Sequence, residues 1–258
     1  MCTTTLYRKS DGFQIIMNRD ERLDRPQETP PQELRPGIFG PCDPVSGGTW
    51  IAHNADGYWG CLLNGYYETE QPKGRKSRGT ILLDFLSKQD PFDSVREFDA
   101  SPYSSFRLVL GSPTQVKLYI WDGCTFSHQD FYASYKERAY FISSSSFRQS
   151  EVIAHRKALF LNAMKEKGED LQGRLDFHTT QDNAEIDPLM LRSYSRTKSI
   201  TIMNIGKANS NFDYASIPES FDYSMDAIHK QITIPFTARA NQSQLGFDVH
   251  KQKSLVEC

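Results

Sequence analysis

Short runs of apolar and β-branched residues, each closed by a turn signal, dominate the first 65 positions. Residues 3–8 and 13–18 flank Ser10-Asp11-Gly12, and two such runs around Asp-Gly predict a β-hairpin. An antiparallel hairpin returns the end of its second strand to the start of its first. Cys2 and the tetrad Asn18-Arg19-Asp20-Glu21 are therefore predicted neighbours. Residues 49–53 and 58–64 around Asn54-Ala55-Asp56-Gly57 predict a second hairpin, and 106–111 with 116–121 a third. Residues 137–142, 199–205 and 231–236 read as further strands.

Between the first two hairpins the pattern breaks. Pro26, Pro30, Pro31, Pro36, Pro41 and Pro44 crowd residues 22–48, and proline lacks the N–H that a central strand needs. This segment is predicted to be a long ordered loop with no more than a short edge strand. Helical spacing occurs over 79–88 (Ile81, Leu82, Phe85, Leu86), more briefly over 92–98, and best over 151–167, with Val152, Ile153, Leu159, Phe160 and Ala163 in phase. A weaker helix is predicted over 188–192. From Ala240 the chain is polar, so one domain over 1–239 and a tail over 240–258 are expected. Consecutive hairpins with a few helices predict an α+β fold, one antiparallel sheet or two packed sheets with helices on the outside.

Composition narrows the function classes. Of 258 residues, 38% are hydrophobic and 24% charged, with a formal net charge of −2; nothing draws the chain as a whole to nucleic acid or anionic lipid. The five cysteines are odd in number and form no CxxC pair, and the six histidines are scattered, which argues against a disulfide framework or a metal site. Neither a signal-peptide pattern nor an 18-residue apolar run is present. A soluble cytoplasmic protein without a cofactor is expected.

The candidate chemistry starts at Cys2. Cys is small enough for a preceding initiator Met to be removed, and an N-terminal thiol beside its own amine combines nucleophile and base. A lone Cys near a terminus also packs as a small hydrophobe. What lifts the catalytic reading is the charge gathered beside it: Arg19 could lower the thiol pKa and Asp20 could hold the α-ammonium. Asn64, at the end of the strand over 58–64, could donate to an oxyanion or simply begin the Asn64-Gly65 turn. Ser46-Gly47-Gly48-Thr49-Trp50 has no P-loop Lys and opens no helix, so nucleotide binding is rejected and close backbone packing preferred. The Ser run 143–146, the cluster Tyr194-Ser195-Arg196 and the basic stretch 73–78 have no motif of their own.

Together, Met1-Cys2, NRDE at 18–21, GGTW at 47–50, the strand to Asn64, SRG at 77–79 and Arg196-Thr197 resemble the NRDE family, also called transport-and-Golgi-organisation-2-like. That family is similar in turn to the Cys-type N-terminal-nucleophile hydrolases, the choloylglycine hydrolases and penicillin V acylases. The resemblance implies an αββα four-layer sandwich. It implies Cys2, Arg19, Asp20, Asn64 and Arg196 as catalytic residues, with Asn18, Glu21, Trp50 and Ser144 around the substrate. The tetrad is out of register with the hydrolases' Arg-Asn-x-Asp, which leaves the acidic role to Asp20 or Glu21. Ser144 stands where the hydrolases carry a second Asn. Two functions follow from the resemblance: hydrolysis of a non-peptide amide, with entry over residues 22–48, or non-catalytic carriage of a haem, acyl or lipid ligand in the same cleft.

Overall fold

The computed structural model describes residues 1–67, 74–129, 134–135, 138–168, 170–206 and 209–217. The strand expected over 231–236 and the tail over 240–258 lie outside them. The described residues form two antiparallel sheets. The first hairpin, β1 (Cys2–Lys9) and β2 (Gly12–Arg22), lies at the middle of a six-stranded sheet. The other sheet is a seven-stranded meander. It runs in chain order through β3 (Thr29–Arg35), β4 (Ile38–Cys42), β5 (Ile51–Asn54), β6 (Trp59–Asn64), β7 (Phe106–Gly111), β8 (Val116–Trp121) and β9 (Phe126–Gln129). In the six-stranded sheet β10 (Ser134–Tyr135) and β11 (Ala139–Ser144) lie beyond β1, and β12 (Ser195–Gly206) and β13 (Ser210–Ser216) beyond β2.

Strand alternation builds the layers. Phe13, Ile15 and Met17 of β2 meet Trp59, Cys61 and Leu63 of β6 in the core between the sheets, while Ile16 faces outward onto Leu175 and Leu189. Helices α3 (Gln149–Glu166) and α4 (Leu171–His178) cover the outer face of the six-stranded sheet; α1 (Ile81–Leu86) covers the other sheet and is followed by the one-turn α2 (Pro91–Ser94). The result is the α–β–β–α order that the family resemblance implies.

Two glycines explain tight approaches. A Cβ on Gly12 would stand 2.0 Å from the Ile205 carbonyl oxygen, because β12 runs against the β1–β2 turn. A Cβ on Gly48 would stand 2.5 Å from the Gly79 carbonyl carbon, and the Thr49 N–H donates to Gly79 O. GGTW and SRG thus pack backbone to backbone, which is the role preferred for those glycines.

Two expectations are corrected. Residues 22–48 are not a long loop: β3 and β4 form a hairpin there. Pro30 and Pro31 fit because β3 is the sheet's edge strand, with no neighbour to receive a second set of N–H bonds, and the register shifts beside them. No helix forms over 188–192. Instead Pro188 O accepts from Asn18, the Met190 N–H donates to Thr197 Oγ1, and Leu191 bridges Arg196, so partners outside the segment take the backbone groups a helix would use. The helix that does form nearby, α4, is capped at its N-terminus by Asp170, whose carboxylate accepts from the Gly173 N–H.

Candidate active site

Cys2 is the first residue of a central strand, buried at the edge of the inter-sheet core. Its direct cross-strand partners are Arg19 on β2 and Ser144 on β11. Directly opposed residues in antiparallel strands project to the same face, so thiol, guanidinium and hydroxyl share one side of the sheet. Ser144 Oγ is buried without a hydrogen-bond partner.

Arg19 is a shared cation. It lies within 3.1 Å of Glu28, 2.8 Å of Asp43 and 3.4 Å of Glu21, and its guanidinium sits 4.4 Å from the Trp50 ring centroid. Three carboxylates absorb its field, which limits what it does to the thiol. Burial pushes the Cys2 thiol up; the N-terminal ammonium and Arg19 oppose this, the Asp20 carboxylate reinforces it, and the Asp20 main chain opposes it. Burial also pulls the Met1 ammonium down, but Tyr66, Cys2, Asp20 and Glu21 outweigh that and hold it at about 10. With Met1 in place, therefore, the amine is charged and the thiol neutral at pH 7.

Met1 itself extends the ladder: its amine donates to Asp20 O at 3.1 Å and its carbonyl accepts from the Asp20 N–H at 3.0 Å. It is thus the Asp20 backbone that holds this terminus. The Asp20 side chain turns to the opposite face, where Oδ1 accepts from Thr197 Oγ1 at 2.7 Å and Oδ2 lies 3.5 Å from Arg156 Nη1. Asn18 faces the same way: Nδ2 donates to His178 O and Pro188 O, and Oδ1 accepts from His178 Nδ1–H. Of the expected residues, Cys2, Arg19, Ser144, Glu21 and Trp50 are gathered on the inner side. Asn64 Nδ2 donates to Tyr66 Oη at 3.2 Å, and Tyr66 acts in turn on the Met1 ammonium. Arg196 is the ladder partner of Glu21 and gives Nη1 to Ile217 O.

A cavity of about 520 Å³ opens beside Met1, lined by Tyr66, Tyr67, Ser145, Ser146, Arg148 and Gln149 among others. Arg148, at the start of α3, is a non-glycine residue with φ +44°. Sequence reasoning missed Arg192, which contacts Met1, and the ion-pair partners Glu28 and Asp43, which only tertiary folding brings to Arg19. It also missed Arg156, although a signal was there: on α3 the buried positions 152, 156, 160 and 164 recur every fourth residue, with Arg156 inside that stripe. Among the described residues there is no cluster of three or more His, Cys, Asp or Glu suited to a metal, and no helix is long and apolar enough to cross a membrane.

The layered fold is similar to that of solved N-terminal-nucleophile hydrolases. Its solved neighbours include an N-acylethanolamine-hydrolyzing acid amidase orthologue of Caenorhabditis elegans, at 15% identity, TM-score 0.52, over 78% of this chain and 92% of that one. Penicillin V acylase of Agrobacterium tumefaciens matches at 12% identity and TM-score 0.46, over 87% and 89%. No curated protein matches the sequence significantly. The family model for Transport and Golgi organisation 2 matches residues 1–237, and the chain belongs to that family.

Proposed function

We propose that the chain is a Cys-type N-terminal-nucleophile amidohydrolase acting on a small non-peptide amide, once Met1 has been removed. The observation that supports this best is the pairing of Cys2 with Arg19 on one side and with the unpartnered Ser144 hydroxyl on the other. The new Cys2 amine takes the thiol proton, and the thiolate attacks the amide carbon. Ser144 Oγ–H and Asn64 donate to the developing oxyanion. The ammonium then returns its proton to the leaving nitrogen as the C–N bond breaks, and water, deprotonated by the same amine, hydrolyses the thioester. Arg19 and Asp20 fix the strand ends, Arg196 steadies Glu21, and Trp50 walls the site.

A second reading has its own support. Met1 is buried, with partners for both its amine and its sulfur, so a chain that keeps Met1 is closed over an unreactive Cys2. Such a chain suits a carrier of a haem-like, acyl or lipid ligand in the cavity. Intact mass separates the two: the hydrolase reading requires loss of Met1. In the Met1-free protein, Cys2→Ala abolishes turnover of amide substrates and labelling by an electrophilic amide or β-lactam probe, and Ser144→Ala lowers kcat by about 10²–10³-fold. Undiminished turnover in Cys2→Ala rules the hydrolase out.

A further inference from the structure

Arg192 is a buried guanidinium, 5% exposed, with no carboxylate in ion-pair range among the described residues. Its charged neighbour is another cation, Arg156, which is occupied with Asp20. Arg192 Nε donates to Glu185 O at 2.7 Å and Nη2 to Ser145 Oγ at 3.4 Å. Nη1 points at Met1 Sδ, 3.2 Å away, and the Ser146 hydroxyl reaches the same sulfur at 3.2 Å. A thioether is a weak acceptor. Two good donors thus converge on a weak acceptor, and one of them is a buried cation whose charge is met by the Phe147 ring at 4.8 Å rather than by a carboxylate, although buried charges are ordinarily paired. Ser146 also lines the cavity, so it borders both the Met1 compartment and the cavity.

We propose that in the protein lacking Met1 this compartment binds a carboxylate carried by the substrate, with Arg192 and Ser146 as the recognising groups. The proposal deepens the amidohydrolase reading and rests on it for the position of the scissile bond. A planar carboxylate suits the guanidinium fork and needs little more room than a Met side chain. Met1 begins the strand position just before Cys2, so the carboxylate is held close to the sulfur. The substrate class is an N-acyl amino acid type of amide, with the acyl portion in the cavity against Tyr66 and Tyr67.

The test is binding to Met1-free Cys2→Ala protein, titrated with N-hexanoylglycine and with the neutral N-hexanoylethanolamine. The carboxylate ligand is expected to bind at least tenfold more tightly. Arg192→Gln should bring the two within twofold of each other, and Ser146→Ala should weaken only the carboxylate ligand. Protein retaining Met1 should bind neither in this compartment. Equal affinities, a preference for the neutral ligand, or no detectable carboxylate binding would each overturn the proposal. If Arg192→Gln does not fold, Ser146→Ala and the Met1-retaining protein still decide it. Hydrolysis is scored separately on protein with Cys2 intact. Carboxylate preference without turnover sinks the hydrolase reading alone, and turnover without that preference sinks this one.

Discussion

On the outer face of the seven-stranded sheet, α1 is attached through rings and aliphatic groups: Ile81, Leu82 and Phe85 pack with Leu62, Phe106, Leu108 and Trp121, and Phe98 lies 4.8 Å from Phe85. On the outer face of the six-stranded sheet an apolar cluster of Phe141, Phe160 and Phe177 is joined by buried cations and amides. Arg156 donates to Thr3, Ser143, Ile186 O and Asp187 O; Arg174 donates to Gln14; His178 bridges Thr5 and Asn18. Burying such groups costs free energy unless every one is satisfied. They gather behind β1 and β2, the two strands that present Cys2 and Arg19. One face is a scaffold; the other fixes where the strand ends stand.

The largest test of that contrast is Arg156→Met. The apolar replacement leaves Asp20 buried without its cation and Thr3 and Ser143 without their donor, and a loss of about 3–5 kcal/mol is expected in denaturant unfolding. Adding Asp20→Asn should restore a substantial part. Phe106→Ala on the other face should also cost about 3–5 kcal/mol, as a cavity. Combined with Asp20→Asn, however, it should be additive, since the two sites share no partner. Equal coupling in both double mutants would erase the distinction between the faces.

The scaffold face was the more legible of the two in the sequence. Its hairpins have Asn-Ala-Asp-Gly and similar turns between alternating strands, and those signals are local. The β1–β2 turn was equally local, so Cys2 could be set beside Arg19 without the structure. The polar face was not legible, because its partners are far apart in the chain: Asn18 meets Pro188, and Arg156 meets Thr3. Residues 22–48 misled because proline content speaks against central strands but not against an edge. Residues 188–192 misled because their apolar spacing is satisfied by burial in a turn rather than along a helix.

A smaller effect comes from pH. Burial, reinforced by the like charges of Arg174 and Arg156, holds the His178 imidazole well below its ordinary value of 6.5. Its Nδ1–H serves Asn18 and its Nε2 accepts from Thr5. Below pH 6.5 the unfolded chain takes up a proton that the folded chain refuses. The stability from this group is therefore full above pH 6.5 and falls as pH drops below it, by about 1.4 kcal/mol per pH unit. Buried His53, also lowered, adds in the same direction from the other sheet. Thermal melts between pH 7.5 and 5.5 should show the slope, and His178→Gln should reduce it. An unchanged slope would mean that His178 is not what makes the polar face sensitive to acid.

The smallest effect lies at the end of β2. Arg22 pairs with Asp24 at 2.6 Å, a shorter contact than any that Arg19 makes, yet both side chains are about two-thirds exposed or more. Water already solvates these charges in the unfolded chain, and holding two long side chains in one arrangement costs entropy, so such pairs contribute little. Arg22→Ala should leave Tm within replicate scatter at low and high salt. Asn18→Ala, four positions earlier and neutral, should lower it clearly, because two backbone carbonyls and His178 Nδ1–H lose their partner at once. If Arg22→Ala proved as costly as Asn18→Ala, charge density in the tetrad region would matter more than burial, and the contrast between the two faces would have been drawn on the wrong variable.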